Sequence, residues 1–281
     1  MLVHDRAARW ATRPRPIQLL LLTLLGLSFA FGAILSAPPK TLAADPVKVV
    51  IIVGPTELTT TKYRRIARAY AALARSYGAS VTEVYSPIAT WGRVRNAARG
   101  ANILIYLGHG NGSPSPYGPY VASRRNGMGL NALNNHGNSN VRYYGYTYMR
   151  ELALAPNAVV LLNHLCYASG NSEPGRGVPA KSVAKKRADG YASGFLRAGA
   201  RAVFAVGHGG LEGLLTDLLT SDKSIEQMFQ DDRSFSGSAD FQFPSANVSW
   251  ATVWMDPMSA GRYYYSVTGK LGLTASVMRA S

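Results

Sequence analysis

Apolar positions along this chain follow two rhythms. The continuous run "VKVVIIVGP" (Val47–Pro55), closed by Gly-Pro, predicts a strand buried on both faces. In "TTTKYRRIARAYAALARSYG" the apolar residues Tyr63, Ile66, Ala67, Tyr70, Leu73 and Ala74 recur at helical spacing, with threonines at the start and Gly78 at the end. The alternation continues. Strands are predicted over Ser80–Tyr85, Ala101–Gly108, Asn157–Leu165 and Ala200–Gly207, and helices over Thr90–Gly100, Thr147–Leu154, Ala188–Ala200 and Leu211–Gln230. Two stretches break the pattern: Asn111–Tyr144, where only Gly127–Leu133 has room for a helical turn, and the loop Tyr167–Lys185. A segment of the first one's length inside a compact domain points to a functional loop. From Asp231 onward the chain is aromatic with short alternating pieces, "VSWATVW" and "RYYYSVTG", which read as a β-rich extension packed on the main domain. The fold class is therefore α/β: a mostly parallel central sheet covered on both faces, a three-layer sandwich spanning residues 47–230, followed by the extension 231–281.

Residues 1–43 lie outside that pattern. Four arginines (Arg6, Arg9, Arg13, Arg15) precede the apolar stretch Ile17–Ala37, and small residues follow around Ala43. Basic, apolar and small-residue regions in that order describe a secretory signal, and the stretch is also long enough to serve as an uncleaved membrane anchor. The remainder is expected outside the cytoplasm, secreted or at the cell surface, with membrane contact through the N-terminus if the segment is retained.

The formal charge is +15, and removing the leader's five basic residues and one acid leaves +11. Such a surface attracts anionic cell-surface polymers. The cations are spread along helices and no nucleic-acid motif accompanies them, so no specific nucleic-acid partner is expected. "GHGNGSPSPYG" lacks both the GxxxxGK[ST] lysine and the GxGxxG spacing, which argues against a nucleotide cradle.

Candidate chemistry gathers at the strand ends. Three apolar strands run into unusual polar groups: "LIYLGHGNG" into His109, "VLLNHLC" into His164 and Cys166, and "VFAVGHGG" into His208. Chemistry in open parallel sheets collects beyond the carboxyl ends of the strands. Cys166 is the only cysteine, so no internal disulfide forms; an odd thiol in an exported chain is reactive or awaits an intermolecular partner. A cysteine attacks as thiolate, and a histidine on a neighbouring strand can take its proton. Gly108 and Gly110 flank His109 and let the backbone turn, bringing the Gly110 N–H, with that of Cys166, toward a developing oxyanion. Peptide-bond hydrolysis by a His109/Cys166 dyad is the expectation, with peptide or protein as substrate and His164 and His208 as substrate-pocket or secondary residues.

An apolar strand ending in His-Gly, and a second ending in a cysteine followed shortly by Ser-Gly, resembles the caspase, legumain and gingipain cysteine peptidases, which share their fold with CHAT-type domains and separase. "GFLRAGARAVFAVG" is similar to the helix and strand after the nucleophile in CHAT-type members. The resemblance covers Val47–Gly210. It implies a caspase-like fold with His109 as catalytic histidine, Cys166 as nucleophile and Gly110 as oxyanion donor.

Two other readings stay open. His109, His164, Cys166 and His208 are all zinc-ligand types, although no CxxC, HExxH or carboxylate-rich loop accompanies them. No cofactor is expected, with zinc and calcium left open. The alternative is a catalytically inactive binding module at the cell surface, suggested by the positive charge and the aromatic tail. Glu173, Asp189, Glu212 and Asp217 are the acids near the motifs that could line a specificity pocket, and the sequence does not choose among them.

Overall fold

The computed structural model describes residues 45–258 and 262–281; the predicted signal or anchor lies outside the described residues. Strands β1 (Lys48–Val53), β2 (Ser80–Tyr85), β3 (Ile103–Leu107), β6 (Ala158–Asn163) and β7 (Ala200–Val206) pair in parallel, in the order β2-β1-β3-β6-β7. Three antiparallel strands, β10 (Tyr265–Gly269), β9 (Thr252–Asp256) and β8 (Phe241–Pro244), extend the same sheet beyond β7 to eight strands. The aromatic tail thus supplies the far edge of the main sheet.

Alternate residues of the buried strands feed two apolar cores. Val50, Ile52, Leu104, Tyr106, Val160 and Leu162 face the layer of α2 (Trp91–Ala98), α3 (Tyr146–Met149) and α4 (Lys181–Arg197). Val49, Ile51, Val53, Ile105, Leu161 and Phe204 face α1 (Thr60–Ser76), α5 (Glu212–Thr220), α6 (Ile225–Asp231) and α7 (Ala275–Arg279). Burial on both faces explains why these strands read as unbroken apolar runs of β-branched residues. The result is a mostly parallel α/β sheet with helices on either side.

Several elements differ from the sequence reading. The polar segment holds an antiparallel hairpin, β4 (Met128–Asn131) with β5 (Val141–Tyr144), where a helical turn was expected. Helix α4 begins at Lys181, seven residues before the predicted start. The predicted helix 147–154 shrinks to the single turn of α3. The expected helix Leu211–Gln230 is two helices, because Ser224 and Gln227 form a capping box that starts α6 afresh. No helix among the described residues is long and apolar enough to cross a membrane.

Candidate functional site

Register places the motifs side by side. Leu107 pairs with Asn163, and Asn163 with Val206, so β3, β6 and β7 end in one row. His109, His164 and His208 follow that row by one or two residues.

His109 sits on a turn fixed from beneath. The fully buried Tyr106 hydroxyl lies 3.0 Å from the His109 carbonyl and 2.9 Å from the Gly129 carbonyl, its one proton serving either, and accepts the Gly129 N–H at 2.9 Å. Gly110 packs directly on the cysteine turn: a Cβ there would overlap the Cys166 carbonyl oxygen. Only glycine permits that approach. The two motifs are therefore in backbone contact.

The turn carrying Cys166 is bracketed by two left-handed residues, His164 at φ 60° and Tyr167 at φ 70°. Non-glycine residues in that region cost energy and persist only where their surroundings hold them. Here the His164 N–H donates to the Val206 carbonyl at 2.8 Å, the Gly170 N–H to the Tyr167 carbonyl at 3.0 Å, and the Ser169 hydroxyl to the Tyr263 carbonyl at 2.7 Å. Arg187 covers the Tyr167 ring at 4.6 Å. Asn163 anchors the base: its amide donates to the Val206 and Gly209 carbonyls and its oxygen accepts from Tyr70 at 3.1 Å. The Tyr70 hydroxyl in turn accepts the Leu211 N–H at 3.1 Å, tying the loop after β7 to the same network.

His109, Gly110 and Cys166 line one open cleft of about 1130 Å³, together with Glu173, Tyr117 and Tyr143. Among the described residues, neither the Gly110 N–H nor the Cys166 N–H has a hydrogen-bond acceptor. Both N–H groups belong to residues that line the cleft.

Burial dominates the electrostatics. It pushes the Cys166 thiol up to about 11, with the Glu173 carboxylate adding to the rise. It lowers His109, against the weaker pull of Glu57 and Glu173 toward the charged form. Both directions favour a neutral thiol and a neutral imidazole over a thiolate–imidazolium pair.

The other two histidines stand outside the residues lining that cleft. His164 stacks on Tyr63 with ring centroids 5.6 Å apart and planes 7° from parallel. Burial lowers its pKa; a backbone hydrogen bond at Gly207 opposes this, while Lys62 and His208 add to it. His208 is exposed, its ring edge-on to Tyr264 at 4.0 Å. Burial raises the Tyr63 hydroxyl above its ordinary value, and the Cys166 charge adds to the rise.

Of the four candidate acids only Glu173 reaches the cleft. Asp189 is buried against Ser245, Ala246 and Asn247, Glu212 pairs with Arg233 at 3.2 Å, and Asp217 pairs with Lys223 at 3.1 Å. Among the described residues no three His, Cys, Asp or Glu side chains are grouped to hold a metal ion. The sequence reading missed Tyr106 and Tyr63, which spacing marks only as core aromatics, and the cleft arginines Arg124, Arg125 and Arg142. Arg125 is buried, donating to Asn111, Ser115 and the Tyr117 carbonyl, whereas Arg124 and Arg142 are exposed. No family model, curated protein or solved structure matches the chain.

Proposed function

We propose that this protein is an exported, caspase-like cysteine endopeptidase in which Cys166 is the nucleophile and His109 its general base. The observation carrying this reading is the convergence, in one cleft, of a thiol on a strained turn, an imidazole from the adjacent strand, and two free backbone N–H groups in contacting segments. That is the set acyl transfer requires.

The shift directions shape the mechanism. With thiol and imidazole both neutral at rest, His109 takes the Sγ proton as sulfur attacks the peptide carbonyl. The C–S bond forms and the carbonyl oxygen becomes an oxyanion at the Gly110 and Cys166 N–H groups, each such donor being worth roughly 3–4 kcal/mol in acyl-transfer enzymes. Collapse breaks the C–N bond, and imidazolium returns the proton to the leaving amine. Water then hydrolyses the thioester by the same exchange. The charge of +11 outside the leader suits association with anionic cell-surface polymers.

One observation favours an inactive relative of the same fold: a thiol held near 11 is a poor resting nucleophile. A peptidyl acyloxymethyl ketone library, read by mass spectrometry, separates the two. Labelling of Cys166 that disappears in His109→Ala supports the peptidase. Labelling absent from the wild type leaves a binding module.

A further inference from the structure

A second groove lies on the other side of the segment that walls the Cys166 cleft. Tyr117, Pro119 and Val121 face the cleft, while Ser113, Pro114 and Tyr120 line a separate groove of about 410 Å³ against α4. Its α4 side is a single helical stripe, Lys186, Gly190, Ser193 and Arg197, at i, i+4, i+7 and i+11. Gly190 and Ser193 hollow the middle, and the cations stand at the two ends, about 16 Å apart at 1.5 Å per residue. Both cations are exposed, and neither has a carboxylate within 4.0 Å among the described residues. Arg197 spends one nitrogen on the Asn247 carbonyl at 2.7 Å. Among the described residues no acid lines the groove. The nearby Asp189 carboxylate is consumed by Ser245, Ala246 and Asn247.

The groove also holds an unused donor. Asn126 is 4% exposed and sits at φ 61°. Its oxygen accepts the Ser113 N–H at 3.1 Å, while its amide nitrogen has no acceptor among the described residues. That nitrogen faces Gly190, 3.0 Å from where a Cβ would stand. A buried side chain in a left-handed backbone, with its amide turned into a hollow flanked by two cations, is arranged for a ligand carbonyl.

We propose that this groove docks an extended acidic peptide segment, with one carboxylate on Lys186, another on Arg197, and a backbone carbonyl on the Asn126 amide. An extended chain advances about 3.3 Å per residue and alternates its faces, so carboxylates four residues apart share a face and stand about 13 Å apart, within reach of the two long cationic side chains. The proposal does not depend on Cys166 being a nucleophile.

The test uses the full chain carrying Cys166→Ala, which removes any turnover. Fluorescence anisotropy compares two labelled peptides of identical composition, one with two glutamates four residues apart and one with them adjacent. The spaced peptide is expected to bind more tightly, and Lys186→Glu or Arg197→Glu each to weaken it by about tenfold or more, the scale of a charge-assisted contact reversed in sign. Arg93→Glu, exposed on α2 in the same layer, is expected to change affinity less than about twofold. Thermal unfolding of each variant confirms that it is folded. Equal affinity for the two peptides, an equal loss in Arg93→Glu, or no binding overturns the proposal. So does a galacturonate oligomer of equal charge binding as tightly as the spaced peptide, which assigns the groove to acidic polysaccharide.

Discussion

The neutral pair at the cleft has a kinetic signature. Cys166 is pushed from the ordinary thiol value of 9.0 up to about 11. The thiolate fraction at pH 7 then falls by roughly 100-fold relative to the free thiol, at tenfold per pH unit. Part of that loss returns because a more basic thiolate attacks faster, with a Brønsted slope of about 0.4–0.5, leaving alkylation roughly tenfold slower. Iodoacetamide labelling of the folded protein between pH 6 and 11, followed by intact mass, should therefore rise with pH and show no plateau below about pH 10. Glu173→Gln removes a like charge beside the thiolate, so its curve should shift toward lower pH. His109→Ala should leave this background reaction nearly unchanged while abolishing labelling by the peptidyl ketone, which needs a proton acceptor in a bound complex. A plateau near pH 6–7 that vanishes in His109→Ala would refute the reasoning, because it would show a resting thiolate–imidazolium pair that burial has failed to suppress.

Other consequences follow from the same geometry. Gly110→Ala sets a Cβ against the Cys166 carbonyl oxygen, backbone against backbone; urea unfolding should show a loss of about 2–3 kcal/mol, with ketone labelling reduced in the folded fraction. Tyr106→Phe removes the shorter acceptor of the Gly129 N–H and leaves it only the His109 carbonyl at 3.4 Å, which should cost about 1–2 kcal/mol in the same assay. His109 and His164 both titrate below their ordinary range when folded. The unfolded chain therefore takes up their protons first, and stability present above about pH 6.5 is lost as pH falls through that value toward the folded pKa. Urea midpoints measured from pH 7.5 to 5 should decline more steeply in the wild type than in His109→Gln/His164→Gln; parallel curves would remove these histidines as the cause.

What the sequence shows of this protein depends on how far each feature's cause extends along the chain. The buried parallel strands are legible because burial on two faces demands unbroken apolar runs, as in "KVVIIV" and "AVVLLN". Short elements held by distant partners are not. The hairpin strands "MGLN" and "VRYY" carry too few residues to show a period, and α4 starts at Lys181 with Ala180 as its N-cap, which offers no side-chain hydrogen bond. The break before α6 was written in Ser224 and Gln227, a capping signal outweighed by the longer apolar stripe around it. At the candidate site the same division holds. A strand-end histidine discloses its location, because register carries Leu107, Asn163 and Val206 to one row and the motifs follow. It does not disclose direction. His109 reaches the cleft because Tyr106 pins its carbonyl from below and Gly110 lets the turn close on Cys166. His164 leaves it because a left-handed backbone turns that residue to stack on Tyr63, about a hundred positions earlier in the chain. The three strand-end histidines thus divide into one cleft residue and two neighbours. The deciding contacts are tertiary, so replacing the partners Tyr106 and Tyr63 probes the site as directly as replacing the histidines themselves.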